Sequence, residues 1–309
     1  MQDIAQTVAV LATGGTIAGT AANPADNIGY TAAQLGVRAL IEAVPALREV
    51  PLIAEQVAQL DSKDMDFTVW ATLARRVAHH LASEEVAGIV ITHGTDTLEE
   101  TAYLLQRLLA PAKPVVLTAA MRPATALLRD GPQNLLDAVT LAREPGARGV
   151  MAALAGTVHS SYDVRKVHSY RVEAFASGDA GPLARFEEGR VRRLRDWPTG
   201  KALGLDVLAA PWPWVELVTS HAGARAEGVQ ALVRAGVRGI VVAGTGNGSL
   251  HHVLAAALVE AQHAGVTVWR STRCLDGPVQ ARAGDLIPVA GTLTPVQARI
   301  ELMLQLMRR

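Results

Sequence analysis

The segment IVITHGTDTLEE at residues 89–100 restricts this chain more than any other. Val86, Ile89, Val90 and Ile91 form a short apolar run without the polar alternation of a sheet that has one wet face, so the run reads as a central parallel strand. His93 and Gly94 turn the chain, and Leu98, Ala102, Leu105 and Leu109 then recur at helical spacing. Glu99 and Glu100 suit the first turn of that helix. A strand that passes at once into a helix is the unit of an α/β fold. It displays Thr95 and Asp96 at the carboxyl end of a strand, beside free helix amides. Thr95, Asp96 and Thr97 are equally the residue types that cap a helix, and on this segment alone capping and chemistry stand level.

A second segment of the same kind shifts that balance. Val8, Ala9, Val10 and Leu11 make a strand, and Thr13, Gly14, Gly15 and Thr16 make its turn, so another hydroxyl follows another strand. Phosphate binding is a weak reading of either glycine-rich turn. The first has no third glycine at the required spacing and no lysine-serine pair, and GTGNGS at 244–249 lacks both the lysine and the full glycine spacing. After Thr16 the chain carries Gly19, Asn23, Pro24, Asp26, Asn27 and Gly29, which favour turns, and reads as a mobile loop placed where active-site lids are built.

Elsewhere strands and helices alternate. Thr31 reads as the cap of a helix carrying Leu35, Leu40, Ile41 and Val44, and Ser62 or Asp64 as the cap of one carrying Val69, Leu73, Val77 and Leu81. Asp130 stands before Pro132 at another helix start, and Thr294 before the last. The expected fold is α/β with two domains, each a mostly parallel sheet with helices on both faces, the amino-terminal one larger. Residues 185–195 are charged and without periodicity and run into a Trp- and Pro-rich stretch. The expected division is therefore a catalytic domain over 1–190, a linker over 191–211 and a second domain over 212–309.

The 29 basic and 29 acidic residues cancel without forming a basic block, which argues against nucleic acid or an anionic membrane as partner and for a small molecule. No stretch of about 18 apolar residues occurs, and the first residues lack the pattern of a secretory leader, although a processed chain would read the same way. The expectation is a cytoplasmic protein without metal or cofactor. Cys274, the single cysteine, cannot make an internal disulfide.

ATGGTIAG at 12–19 and ITHGTDTLEET at 91–101 resemble the two signatures of bacterial-type L-asparaginases. The likeness continues through Tyr30, Ser62, AAMRP at 119–123, DGPQNL at 130–135, DVRK at 163–166, GPL at 181–183 and GTGNGSL at 244–250, in the same order over nearly the whole chain. It implies hydrolysis of L-asparagine to L-aspartate and ammonia through a threonine acyl-enzyme. In that scheme Thr16 attacks with help from Tyr30, while Thr95, Lys166 and Asp96 assist proton transfer and position water. It further implies Ser62 at the substrate α-carboxylate, Asp96 at its α-ammonium, backbone at Ala120 near the carboxamide, and a homotetramer built from closer dimers. The residues themselves agree with an amidase that uses hydroxyls: amide hydrolysis needs a nucleophile, a proton acceptor and oxyanion donors, and the chain has no GxSxG elbow and no paired metal-binding histidines.

Two positions depart from the family pattern. Lys63 stands where a Gln or Glu near the substrate ammonium is usual, and residues 274–285 lack an obvious counterpart of the glutamate that some members lend to a neighbouring subunit. Two like charges 4 Å apart cost about 4 kcal/mol at an effective dielectric of about 20, so Lys63 is expected to turn outward or to pair with Asp64 or Asp96. A broader amidase acting on glutamine or small amides, and a binding protein without turnover, remain as alternative functions.

Overall fold

The computed structural model describes residues 7–309, so the reading of MQDIAQ at the amino end lies outside the described residues. The chain divides between Leu205 and Asp206 into two units. In chain order the first runs β1 (Thr7–Gly14), α1 (Val37–Glu42), β2 (Leu52–Leu60), α2 (Phe67–Leu81), β3 (Val86–Thr92), α3 (Leu98–Leu109), β4 (Pro114–Thr118), α4 (Gly131–Ala142), β5 (Gly149–Leu154), β6 (Thr157–Ser160), β7 (Arg165–Lys166), β8 (Phe175–Ala176), β9 (Ala184–Glu187) and β10 (Arg190–Arg193). Its main sheet has the order β10-β9-β6-β5-β4-β3-β1-β2. The five strands from β5 to β2 are parallel, and β6, β9 and β10 extend one edge antiparallel. The expected α/β class is correct.

Burial on both faces explains the missing alternation in the strands. Val8, Val10, Val90 and Val116 belong to one core with residues of α1 and α4. Ala9, Leu11, Ile89, Ile91 and Leu117 point the other way and are equally buried, on the side of α2 and α3. The chain builds outward from β1 to β2 and then crosses back to β3 on the opposite side of β1. In an open parallel sheet such a reversal leaves a crevice at the carboxyl ends of the two strands concerned.

The second unit comprises β11 (Val215–Thr219), α5 (Glu227–Arg234), β12 (Gly239–Gly244), α6 (His252–His263), β13 (Thr267–Thr272) and α7 (Pro295–Met307), with the strands parallel in the order β11-β12-β13. Ile240, Val242 and Val268 pack with Val229 of α5 and Leu254 and Leu258 of α6. On the other face α7 lies so close that a Cβ on Gly239 would stand 2.9 Å from Leu302 Cδ2. Thr294 caps α7 as expected, and the structure adds Gln297 to complete a capping box.

Three local expectations are corrected. Thr31 caps no helix: α1 begins after Gly36, and Thr31 forms an isolated bridge with Thr20. The cap of α2 is neither Ser62 nor Asp64 but Asp66, whose carboxylate accepts from Val69 N at 2.8 Å, while residues 62–64 form a short 3-10 turn. Residues 185–195, read as without periodicity, are in part regular. Residues 184–193 form the β9–β10 hairpin, with Phe186 and Val191 packed against the core and arginines facing out, a period of two hidden by the density of charge. Its two turn residues, Glu188 and Gly189, both have positive φ, which suits the twist of a tight hairpin.

Candidate active site

The turns after β1 and β3 meet at the reversal of strand order. Thr13 Oγ1 donates to Thr92 O at 3.1 Å, joining the two strand ends. Beyond them Gly15 and Gly94 touch through backbone, since a Cβ on Gly15 would lie 2.4 Å from Gly94 Cα. Gly94 is pressed in turn by Ser62, whose Oγ would be 2.4 Å from an added Cβ. The absence of side chains here lets residues 16, 62 and 95 come together from three strand ends.

Thr16 is buried, and its Oγ1 lies 2.6 Å from the Tyr30 hydroxyl. The loop carrying Tyr30 is pinched at its neck by paired backbone bonds between Thr20 and Thr31, both 2.9 Å, so a long irregular segment still delivers its tyrosine to the first turn. Within it Asp26 accepts from Gly29 N and Ile28 N, and these bonds hold its carboxyl below the usual range.

Lys166 stands on β7 and reaches the second turn. Its Nζ donates to Thr95 Oγ1 at 2.8 Å and to Asp96 Oδ1 at 2.5 Å. Thr95 and Asp96 are therefore not acting as helix caps: Thr97 precedes α3 without a side-chain cap, and its hydroxyl donates instead to Ser62 O. Ser62 Oγ accepts from Asp96 N at 3.2 Å. Thr16, Tyr30, Thr95, Asp96 and Lys166 line one cavity of about 230 Å³, together with Asn27, Ile28, Met121, Ser169 and Tyr170. That is smaller than the range of about 300–1,000 Å³ usual for drug-sized ligands and suits a small polar guest. Arg122 stacks over the Tyr170 ring at 4.3 Å and donates to its carbonyl, bracing that wall.

The remaining candidates lie farther from the cavity. Ala120 is buried in the loop after β4. Lys63 turns outward: its Nζ meets Asp61 at 2.7 Å and Asp64 at 3.5 Å, with its side chain 62% exposed. Pairing with Asp64 is one of the expected outcomes. Pairing with Asp96 is not seen, since that carboxylate holds Lys166.

The sequence reading missed several supports. Asp130 stands at the cap position of α4, but its carboxylate accepts from Met121 N at 2.9 Å and Arg122 N at 3.0 Å, and Asn134 one turn later donates to Ala119 O. The four-residue spacing of Asp130 and Asn134 on one helix face was the available signal. His93 is fully buried, and burial pushes its pKa down to about 4. The Trp70 indole can only donate, so Thr101 accepts from it at 2.8 Å and gives its own proton to His93 Nε2 at 2.9 Å. His93 Nδ1–H is then left to donate to Gly94 O at 2.7 Å, which orients the peptide leading into Thr95. Glu99, read as a favourable charge in the first helical turn, is half-buried, and its Oε2 accepts from Lys166 N at 3.1 Å.

The family model described as Asparaginase, N-terminal, matches residues 7–199, and that described as Glutaminase/Asparaginase C-terminal domain matches 214–309. The chain belongs to the asparaginase family. It is 37% identical over 311 residues to L-asparaginase 2 of Bacillus subtilis (strain 168), covering 97% of this chain and 82% of that protein. It is 38% identical over 320 residues to the glutaminase-asparaginase of Pseudomonas fluorescens biotype A, covering 97% and 86%. Among solved structures it superposes on the probable cytoplasmic L-asparaginase from Campylobacter jejuni with a TM-score of 0.94 at 38% identity, over 98% of this chain and 96% of that one. The asparaginase-family likeness thus spans both units.

Proposed function

We propose that this protein is an L-asparaginase that hydrolyses the side-chain amide of L-asparagine through an ester on Thr16. The observation that carries this reading is the pair of activated hydroxyls in one small cavity: Thr16 bonded to Tyr30, and Thr95 bonded to Lys166, which also holds Asp96. Thr16 Oγ attacks the carboxamide carbon, its proton is relayed through the Tyr30 hydroxyl to the amide nitrogen, the C–N bond breaks, and ammonia leaves. Water then adds to the ester carbon. Thr95, polarised by the Lys166 ammonium, takes part in moving its proton, and cleavage of the Thr16 ester releases aspartate. The side chain of Asp96 is half exposed, so its carboxylate is available to the substrate α-ammonium. Ser62 serves the α-carboxylate, and backbone near Ala120 serves the carboxamide.

A glutaminase-asparaginase is the second reading, favoured by the Pseudomonas fluorescens relative. One methylene in a pocket discriminates by only about 1–3 kcal/mol, so a substrate one carbon longer is a real competitor. The assembly is proposed to be a homotetramer of closer dimers, with a sedimenting active monomer as the contrary result. Cytoplasmic residence is supported by the likeness to the Campylobacter jejuni protein, itself named a probable cytoplasmic enzyme; among the described residues no helix is long and apolar enough to cross a membrane. Ammonia release from asparagine and from glutamine, measured side by side on purified protein, tests the function. Release from asparagine well above that from glutamine is expected. Comparable release supports the broader enzyme, and none from either would leave a binding protein.

A further inference from the structure

Glu99 is a half-buried carboxyl group for which the acyl-transfer scheme has no use. It lies in the first turn of α3, just after Thr95 and Asp96, and its Oε2 accepts the Lys166 backbone N–H across a separation of 67 residues. The segment it holds has little other regular structure. β7 is two residues long and pairs only with the equally short β8, where Lys166 stands opposite Phe175. A lysine side chain has four rotatable bonds, so the position of its Nζ depends first on where its backbone is anchored.

We propose that Glu99 is a positioning residue for Lys166: by tying the Lys166 backbone to α3 it keeps Nζ within hydrogen-bond distance of both Thr95 and Asp96, which lie at the start of the same helix. This rests on the acyl-transfer reading, in which Lys166 acts through Thr95. Fixing ammonium, hydroxyl and carboxylate to one helix end makes their mutual geometry independent of the turn between residues 166 and 175. Catalytic groups need placement to within about 0.5 Å, a tolerance that an unanchored two-residue strand does not provide.

Charge makes the tie sensitive to pH. Burial pushes the Glu99 pKa up to about 7, against the opposing effect of the Lys166 N–H; Glu100 on the same helix raises it further, and Arg165 and Lys166 on β7 lower it. Nearby, Asp96 is held by Lys166 and His93 is a buried group with a pKa of about 4. An ionised carboxylate accepts more strongly than its neutral acid, so the tie tightens as pH rises through 7.

The test compares pH profiles of kcat for the wild type, Glu99→Gln and Glu99→Ala, with Lys166→Met alongside. Glu99→Ala is expected to lose about ten- to a hundredfold in kcat with a much smaller change in KM, since about 1 Å of misplacement is worth that much. Glu99→Gln, which keeps an acceptor of the same shape, is expected to restore most of the loss and to lack the rise through pH 7. If the Ala variant melts early, the isosteric Gln variant carries the test. A Gln profile superimposable on the wild type, or wild-type kcat in a folded Ala variant, overturns the proposal while an inactive Lys166→Met leaves the acyl-transfer reading standing. Wild-type turnover by Lys166→Met overturns both, because Glu99 would then have nothing to position.

Discussion

Gly15 and Gly94 meet backbone to backbone, with no space between them for even one methyl group: a Cβ on Gly15 would stand 2.4 Å from Gly94 Cα and 2.5 Å from its nitrogen. Gly15 also has φ +81, which strains any L side chain. Gly15→Ala is therefore expected to cost roughly 2–4 kcal/mol, combining overpacking with left-handed strain, and to separate Thr16 from Thr95. A lowered Tm with reduced ammonia release is the expected pair of results. Unchanged values for both would mean that the contact between the turns is dispensable.

Thr95→Val and Lys166→Met are each expected to reduce turnover by about 10²–10⁴-fold, the usual reach of positioned proton transfer. The fold should persist, since the Asp96 carboxylate that Lys166 leaves behind is half exposed and can be solvated. Circular dichroism melting and ammonia release check both points. Near-normal release by either variant would remove that residue from the chemistry.

Acid-quenched wild type under turnover is expected to carry a covalent acyl adduct on Thr16, found by peptide mass spectrometry, and Thr16→Ala to bind aspartate without forming one. The Tyr30 contact at 2.6 Å is the reason to place the attack there. An adduct mapped to Thr95 instead would reverse the assignment of the two hydroxyls.

Lys63→Gln is expected to leave KM for asparagine within about twofold and kcat unchanged. Its ammonium is held by Asp61 and Asp64 outside the cavity, and exposed pairs of this kind contribute little. A tenfold fall in KM would show that the ammonium faces the substrate after all.

Glu99 also sets a sign for stability against pH. Its pKa is raised from 4.5 to about 7 in the folded chain, so the folded state keeps a proton that the unfolded state gives up, and stability falls as pH rises between those values. Glu99→Gln removes this loss. Its Tm should match the wild type near pH 4 and exceed it at pH 8, by an amount corresponding to up to about 3 kcal/mol. A variant less stable than the wild type at pH 8 would mean that the ionised group is a net stabiliser. The expected result is a cost to stability at a catalytic site, where such costs are common.

Periodicity and turn chemistry in the sequence determined the α/β class, the main strands and the hydroxyls at their ends, because each depends on neighbours within about ten residues. Thr294, just before the last helical run, declared its cap outright. Among Ser62, Asp64 and Asp66, by contrast, local preference cannot choose, because all three are cap formers. The tertiary structure chose Asp66, since the Ser62 hydroxyl is taken by Asp96 N. The β9–β10 hairpin was hidden because charge lay on its outward face and its apolar face was limited to Ala184, Phe186 and Val191. Lys166 was legible only through family likeness, since Thr95 and Asp96 lie about 70 residues away in sequence. The direction taken by Lys63 and the anchoring of Lys166 by Glu99 required the fold itself: a charged side chain carries no local sign of its partner, and only the packing of distant segments decides whether it meets water, a carboxylate or a backbone amide.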